Sequence, residues 1–367
     1  MKQHLLKIDF LRGIAILLVF VYHCQEVMFP GYLGSYNANG IINTSGTKSI
    51  VLNFSPTAFG WAGVVLFFVI SGFLIHLGYL KNQENFDVRM FYSKRFWRIF
   101  PPYWLSLVFI GFSTGSLWYY LFSKQGFTDF FLHLVTLHNF TDRTFFSINK
   151  SYWSLAVEVQ LYLIYPFLLL MRRKIGMRAS FAATLILSIL LILLGLFFNN
   201  FGTVFTYAKS VFELWFIWAA GAYFAELYFN GKTILKRGGL PAFLVCVLLL
   251  TISKYYIYFD YFEYHIATLA FILFIDWFLQ ADNVTMNSHF SKSMIAVGLC
   301  SYSIYLIHQP YLNNLLHFFD IISQKHAVRL LNVIPAFIVV FLISWALYQF
   351  VELPSVALGK KLRDRLK

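Results

Sequence analysis

The sixteen residues DFLRGIAILLVFVYHC, Asp9–Cys24, pose a contradiction. Eight apolar residues in a row, Ile14–Val21, suit a helix surrounded by lipid, yet Arg12 stands before them and His23 after them. Ionisable groups in a bilayer are costly and face a cavity or a partner. His23 follows Arg12 by eleven residues, about 16 Å along a helix axis. With the N-terminus inside, that places the imidazole past the bilayer centre, toward the outer face. Asp9 lies three residues before Arg12, on the same helical face, where it can hold the guanidinium. The plainer alternatives are a snorkelling anchor for Arg12 and an interfacial polar tip for His23.

Composition places the rest of the chain in the same setting. Of 367 residues, 59% are hydrophobic, 20% aromatic and 12% charged, and the mean hydropathy is +0.66. Soluble domains carry about 25% charged residues, so the chain reads as a polytopic, all-α membrane protein. The net charge of +13 is a topology signal, and nucleic acid is not an expected partner. Cys24, Cys246 and Cys300 all sit in apolar runs without CxxC spacing, which argues against a disulfide framework or zinc site. The basic N-terminus followed by an apolar run reads as an uncleaved first span.

Apolar runs recur at 13–29, 61–79, 101–118, 153–171, 180–198, 207–229, 240–257, 264–281, 294–316 and 330–351. They predict ten transmembrane helices, with 127–140 as a short re-entrant or interfacial helix. Of the 29 Lys and Arg, 21 fall in 1–12, 81–98, 172–178, 232–237, 282–292 and the tail. That bias makes both termini cytoplasmic in a multi-pass plasma (inner) membrane protein. Residues 1–353 form the membrane domain and 354–367 a short basic cytoplasmic tail. The loops 30–58 and 119–152 on the other side are the places to meet a polar acceptor.

Four further segments carry chemistry. In RMFYSKRFWRIFPPYW, 89–104, Arg95 and Arg98 share a helix face beside Lys94 and Trp97, just before Pro101 and Pro102. Planar guanidinium forks suit phosphate, and an aromatic neighbour suits a base. In FFVISGFLI, 67–75, Ser71 and Gly72 interrupt large apolar residues; they allow close helix packing or admit a thin ligand arm. YWSLAVEVQLYLIYP, 152–166, contains Trp153, Ser154 and the intramembrane carboxylate Glu158. SYSIYLIHQP, 301–310, carries Ser303, Tyr305 and His308, and VELP follows at 351–354. His76, Glu213, Glu226, His265 and Asp276 read as pairing or interfacial residues. His133 and His138, five apart, do not share a helix face well, and no metal is assigned.

Taken in order, these motifs resemble the membrane acyltransferase 3 family, whose members typically O-acetylate bacterial surface polysaccharides. The likeness covers essentially the whole chain. It implies about ten helices and an O-acetyltransferase that uses cytoplasmic acetyl-CoA as acyl donor. The acceptor is a hydroxyl of an extracytoplasmic glycan or glycolipid of the cell envelope. Arg12 and His23 match the family's arginine–histidine motif, Arg95 and Arg98 would engage the CoA nucleotide, and Glu158 matches the glutamate of the WSL motif. Val159 departs from the second acidic residue often found there.

The reading therefore has Arg12, Arg95 and Arg98 on the donor phosphates and the pantetheine arm near Ser71 and Gly72. His23 acts with Glu158 as base or nucleophile, and Asp9, Trp153, Ser154, Ser303, Tyr305 and His308 orient the site. Other acyl groups, a lipid or small-molecule acceptor, and a non-enzymatic glycan or anion transporter are the alternatives.

Overall fold

In lipid a backbone must satisfy its own N–H and C=O groups, so apolar runs of spanning length fold as helices. The computed structural model describes residues 2–31, 41–42, 47–197, 209–235, 239–255, 261–281, 286–323 and 331–365. Among them there is no sheet; residues 41–42 form an isolated bridge through Ile42 N–H to the Tyr255 carbonyl.

The helices are α1 (Lys2–Met28), α2 (Thr47–Phe54), α3 (Ala62–Lys81), α4 (Val88–Ser113), α5 (Leu117–Phe122), α6 (Lys124–Leu134) and α7 (Asp142–Phe145). There follow α8 (Tyr152–Phe197), α9 (Val211–Phe229), α10 (Gly239–Ser253), α11 (Glu263–Gln280), α12 (His289–Leu299) and α13 (Ser301–Ser323). The chain closes with α14 (Val333–Leu347), a π turn (Tyr348–Glu352) and α15 (Leu353–Asp364).

Each of the ten apolar runs contains a helix. Among the described residues α3, α8 and the Val333–Asp364 stretch are each long and apolar enough to cross a membrane, and α12 with α13 makes a fourth if taken as one span. These are features of an all-α membrane protein. The part of the 30–58 loop at 32–40 and 43–46 lies outside the described residues, as do 282–285 and 366–367.

Two boundaries differ from expectation. The runs 153–171 and 180–198 are one helical stretch, α8, interrupted only at Gly176 (φ 80, ψ 159), a conformation that glycine alone adopts readily. The run expected at 101–118 begins at Val88 and passes through Pro101 and Pro102. Pro101 has no N–H for the Trp97 carbonyl, and Ser355 Oγ on α15 donates to it at 2.7 Å. The expected tail is thus helical and seated on α4, where a Cβ at Gly359 would lie 2.3 Å from Trp97 Cγ.

The chain divides into two units. Unit one comprises 1–81, 168–192 and 215–301. Small residues draw its helices together: a Cβ at Gly63 would lie 2.3 Å from the Ala15 carbonyl oxygen, and one at Gly298 only 1.8 Å from that of Asp9. Unit two comprises 82–167, 193–214 and 302–367. Its core joins Tyr103, Leu107 and Ile110 of α4 to Tyr152 and Leu155 of α8 and Leu306 and Ile307 of α13.

Candidate active site

In unit one, the close passage of α1 past α12 brings Arg12 to the start of α13. Its Nη1 lies 3.3 Å from Asp9 Oδ1, and its Nη2 donates to Ser301 Oγ at 3.0 Å. The pairing expected from the Asp9–Arg12 spacing is present, with Ser301 as a further partner. Two bonds from different helices fix the fork.

Three turns further along α1, His23 Nδ1 lies 3.1 Å from Glu26 Oε2. The imidazole is 15% exposed and the carboxylate 42%, so one end of the pair reaches solvent or ligand while the ring stays largely enclosed. Tyr22 presents its ring edge-on to His23 at 5.5 Å. Gln25 anchors this end of the helix: its amide donates to the Leu52 carbonyl at 2.5 Å, and its oxygen accepts from Thr57. Glu26 was not among the residues picked out from the sequence. Its i, i+3 spacing from His23, the same as that of Asp9 and Arg12, was the available signal.

Ser71 and Gly72 were expected beside a ligand arm. The space next to Gly72 is instead filled by α9, since a Cβ there would lie 2.1 Å from the Trp218 carbonyl oxygen, and the Trp218 indole N–H donates to Ser71 Oγ at 3.3 Å. Helix packing accounts for both residues. The other polar groups singled out in the helices of unit one pair as expected. His76 Nε2 lies 3.1 Å from Glu226 Oε1, which also accepts from Arg172 Nε. His265 Nε2 meets Ser188 Oγ at 3.0 Å, and Asp276 accepts from the Ile234 N–H at 3.0 Å.

In unit two, the arginine pair sits on α4 just before the proline step. Arg95 is half-buried with its guanidinium 4.2 Å from the Phe91 ring centre, a cation–π contact. Arg98 is exposed, although Glu352, Tyr162, Glu158 and Tyr302 all act on its charge. Glu158 accepts from Tyr162 Oη one turn along α8. Glu352, in the π turn, accepts from Ser303 Oγ at 2.8 Å. Ser303 was expected in an orienting role, and the group it holds is Glu352. That carboxylate was missed because VELP read only as a terminal motif; a π turn in the helix is the structural sign of it.

The remaining expected residues of unit two form a buried network. Ser154 Oγ and Tyr305 Oη are 2.5 Å apart, and Tyr305 also donates to the Ser151 carbonyl. Trp153 lies under the Lys209 ammonium at 4.9 Å and stacks on Phe145. His308 Nδ1 lies 3.0 Å from the Tyr305 carbonyl oxygen, which can only accept, so Nδ1 carries the proton.

His133 and His138 depart most from expectation. Helix α6 ends at Leu134, and Thr136 takes a left-handed conformation (φ 56) that folds the chain back. The two rings stack 3.8 Å apart and nearly parallel, both fully buried. Burial lowers the His133 pKa to about 4, and burial with the neighbouring ring lowers that of His138 as well.

The two units hold different kinds of chemistry: a histidine–carboxylate pair on the helix of a fixed arginine, and an exposed arginine on whose charge two carboxylates and two phenols act. Residues 5–349 match the family described as "Acyltransferase domain". The peptidoglycan O-acetyltransferase of Listeria monocytogenes is 25% identical over 197 residues, which cover 47% of this chain and 25% of that protein. A Staphylococcus aureus protein provisionally named as an O-acetyltransferase is 24% identical over 382 residues, covering 95% of this chain and 56% of its own. An uncharacterised Haemophilus influenzae protein is 28% identical over 162 residues, covering 41% and 66%. The chain thus spans between about a quarter and two thirds of the length of these relatives. No solved structure matches.

Proposed function

Because the chain belongs to the acyltransferase-domain family, we propose that it moves an acetyl group from cytoplasmic acetyl-CoA to a hydroxyl of an extracytoplasmic glycan. The observation that carries this reading is the His23–Glu26 pair on the same helix as Arg12. A carboxylate at Nδ1 keeps the proton on that nitrogen and leaves Nε2 as the acceptor of the ring. In this reading Nε2 takes the proton of the sugar hydroxyl as its oxygen attacks the thioester carbonyl. The C–S bond breaks, the acetyl ester forms, and the imidazolium returns the proton to the departing CoA thiolate.

In this reading Arg95 and Arg98 of unit two bind the donor phosphates. Arg12 is held in place by Asp9 and Ser301, and Arg98 is an exposed residue on whose charge Glu352, Tyr162, Glu158 and Tyr302 act. Forked donors of this kind suit a pyrophosphate or ribose phosphate better than a point charge does. Glu158 neighbours Arg98 and Tyr162, which supports a place in donor binding; Glu26 takes the role of acid partner to His23. In this reading the chain makes ten spans with both termini in the cytoplasm, and the donor is bound from inside while the acceptor is met outside. The name of the peptidoglycan O-acetyltransferase relative supports a glycan acceptor.

The test is transfer of radiolabelled acetyl from acetyl-CoA to purified cell-wall glycan by the full chain in vesicles. The label should appear as an alkali-labile ester on sugar hydroxyls. Transport of intact glycan without ester formation would replace this reading with the transporter alternative.

A further inference from the structure

A carboxylate that serves a histidine from the end of a helix is exposed to the loosening of that end, because the last carbonyls of a helix lack intrahelical partners. Glu26 stands two residues before Met28, where α1 stops. Its contact with His23, Oε2 to Nδ1 at 3.1 Å, spans three residues and needs helical spacing between them.

Gln25 ties this last turn to the chain beyond it. The residue is 3% exposed. Successive residues project about 100° apart around a helix, so its side chain leaves α1 about 160° around from His23. There its amide donates to the Leu52 carbonyl of α2 at 2.5 Å, and its oxygen accepts from the Thr57 hydroxyl. Its own carbonyl accepts from the Phe29 N–H at 2.9 Å. One residue therefore closes the turn with its backbone and moors it with its side chain.

The segment that receives the mooring is itself fixed. Thr57 Oγ1 lies 2.7 Å from Ser55 Oγ. Buried Lys254, the residue after α10, donates to the Ala58 carbonyl at 3.0 Å, and its ammonium sits 4.5 Å from the centre of the Phe59 ring. A Cβ at Gly60 would lie 2.2 Å from the Leu18 carbonyl oxygen, so the segment is seated directly on α1. All of these residues belong to unit one.

We propose that Gln25 is a positioning residue for the His23–Glu26 pair: by mooring the last turn of α1 to Leu52 and Thr57, it keeps Glu26 at the spacing that sets its carboxylate on His23 Nδ1. This rests on the reading of that pair as base and acid partner. A packing role alone would act whether or not residue 26 carries a carboxylate, whereas a mooring for Glu26 acts only through it.

The experiment is a double-mutant cycle on acetyl transfer from acetyl-CoA to cell-wall glycan by the full chain in vesicles. Gln25→Ala should lower kcat about fivefold, the size of one lost hydrogen bond, with KM for acetyl-CoA and for glycan unchanged. In a Glu26→Ala background, with no carboxylate left to place, the same change should lower kcat by less than about twofold. Thr57→Val keeps shape and leaves Gln25 present; it should lower kcat about threefold in wild type only, and it carries the test if Gln25→Ala fails to insert. Amide hydrogen exchange over residues 24–29 should quicken in Gln25→Ala. Wild-type kcat or wild-type exchange in Gln25→Ala, or an equal fall of kcat in both backgrounds, overturns the mooring while leaving the pair intact. Wild-type kcat in Glu26→Ala overturns the reading of the pair and the mooring with it.

Discussion

His23 on α1 and the His133–His138 pair beyond α6 carry the same side chain into different surroundings. His23 is partly exposed and bonded at Nδ1 to the half-open carboxylate of Glu26. His133 and His138 are fully buried, stacked on each other, and His133 Nδ1 meets only a backbone oxygen, that of Asp129, at 2.7 Å. A histidine that must exchange protons needs an acid to stabilise its charged form and a path for the proton; the first site has both. Burial keeps the second pair neutral, and its part is to shape the segment between α6 and α8.

The largest expected break in this comparison is His23→Ala. It should lower acetyl transfer by about 10²–10⁴-fold, the range for a general base, with helical content by circular dichroism unchanged. Transfer within tenfold of wild type would remove the distinction between the two histidine regions. Replacing Arg95 and Arg98 together by Ala should raise the KM for acetyl-CoA about a hundredfold, at two charge-assisted contacts, and leave the KM for glycan alone. Glu26→Gln keeps a hydrogen bond to His23 but removes the charge, and should reduce kcat about tenfold; equal kcat in wild type and variant would return the acid role to another carboxylate.

The smallest effect concerns stability. The ordinary histidine pKa of 6.5 falls to about 4 for His133 in the fold. The unfolded chain therefore takes up protons that the native segment refuses, and stability, complete above pH 6.5, declines as pH falls toward 4. The slope is at most about 1.4 kcal/mol per pH unit for each histidine. Melting temperatures across pH 7.5–4.5 should flatten when both are replaced by Phe. An unchanged slope would assign the acid sensitivity to other groups.

The apolar runs were legible because lipid leaves a backbone few alternatives to helix, and Asp9–Arg12 because three-residue spacing fixes a shared face. The continuity of α8 was hidden, since the polar RRKIG at 172–176 reads as a loop while the helix continues on either side of Gly176. The early start of α4 was hidden by Pro101 and Pro102, whose cost is offset by Ser355, more than 250 residues away. Glu26 fell at the polar end of an apolar run and was passed over. Glu352 was invisible for a different reason: its bond from Ser303 and its place in a π turn exist only once the chain has folded.

The most direct test seals labelled acetyl-CoA inside vesicles containing the full chain and supplies cell-wall glycan outside. The account predicts that label appears on the external glycan with wild-type protein and stays inside as acetyl-CoA with His23→Ala. Equal labelling by both proteins, or none by wild type, would contradict it.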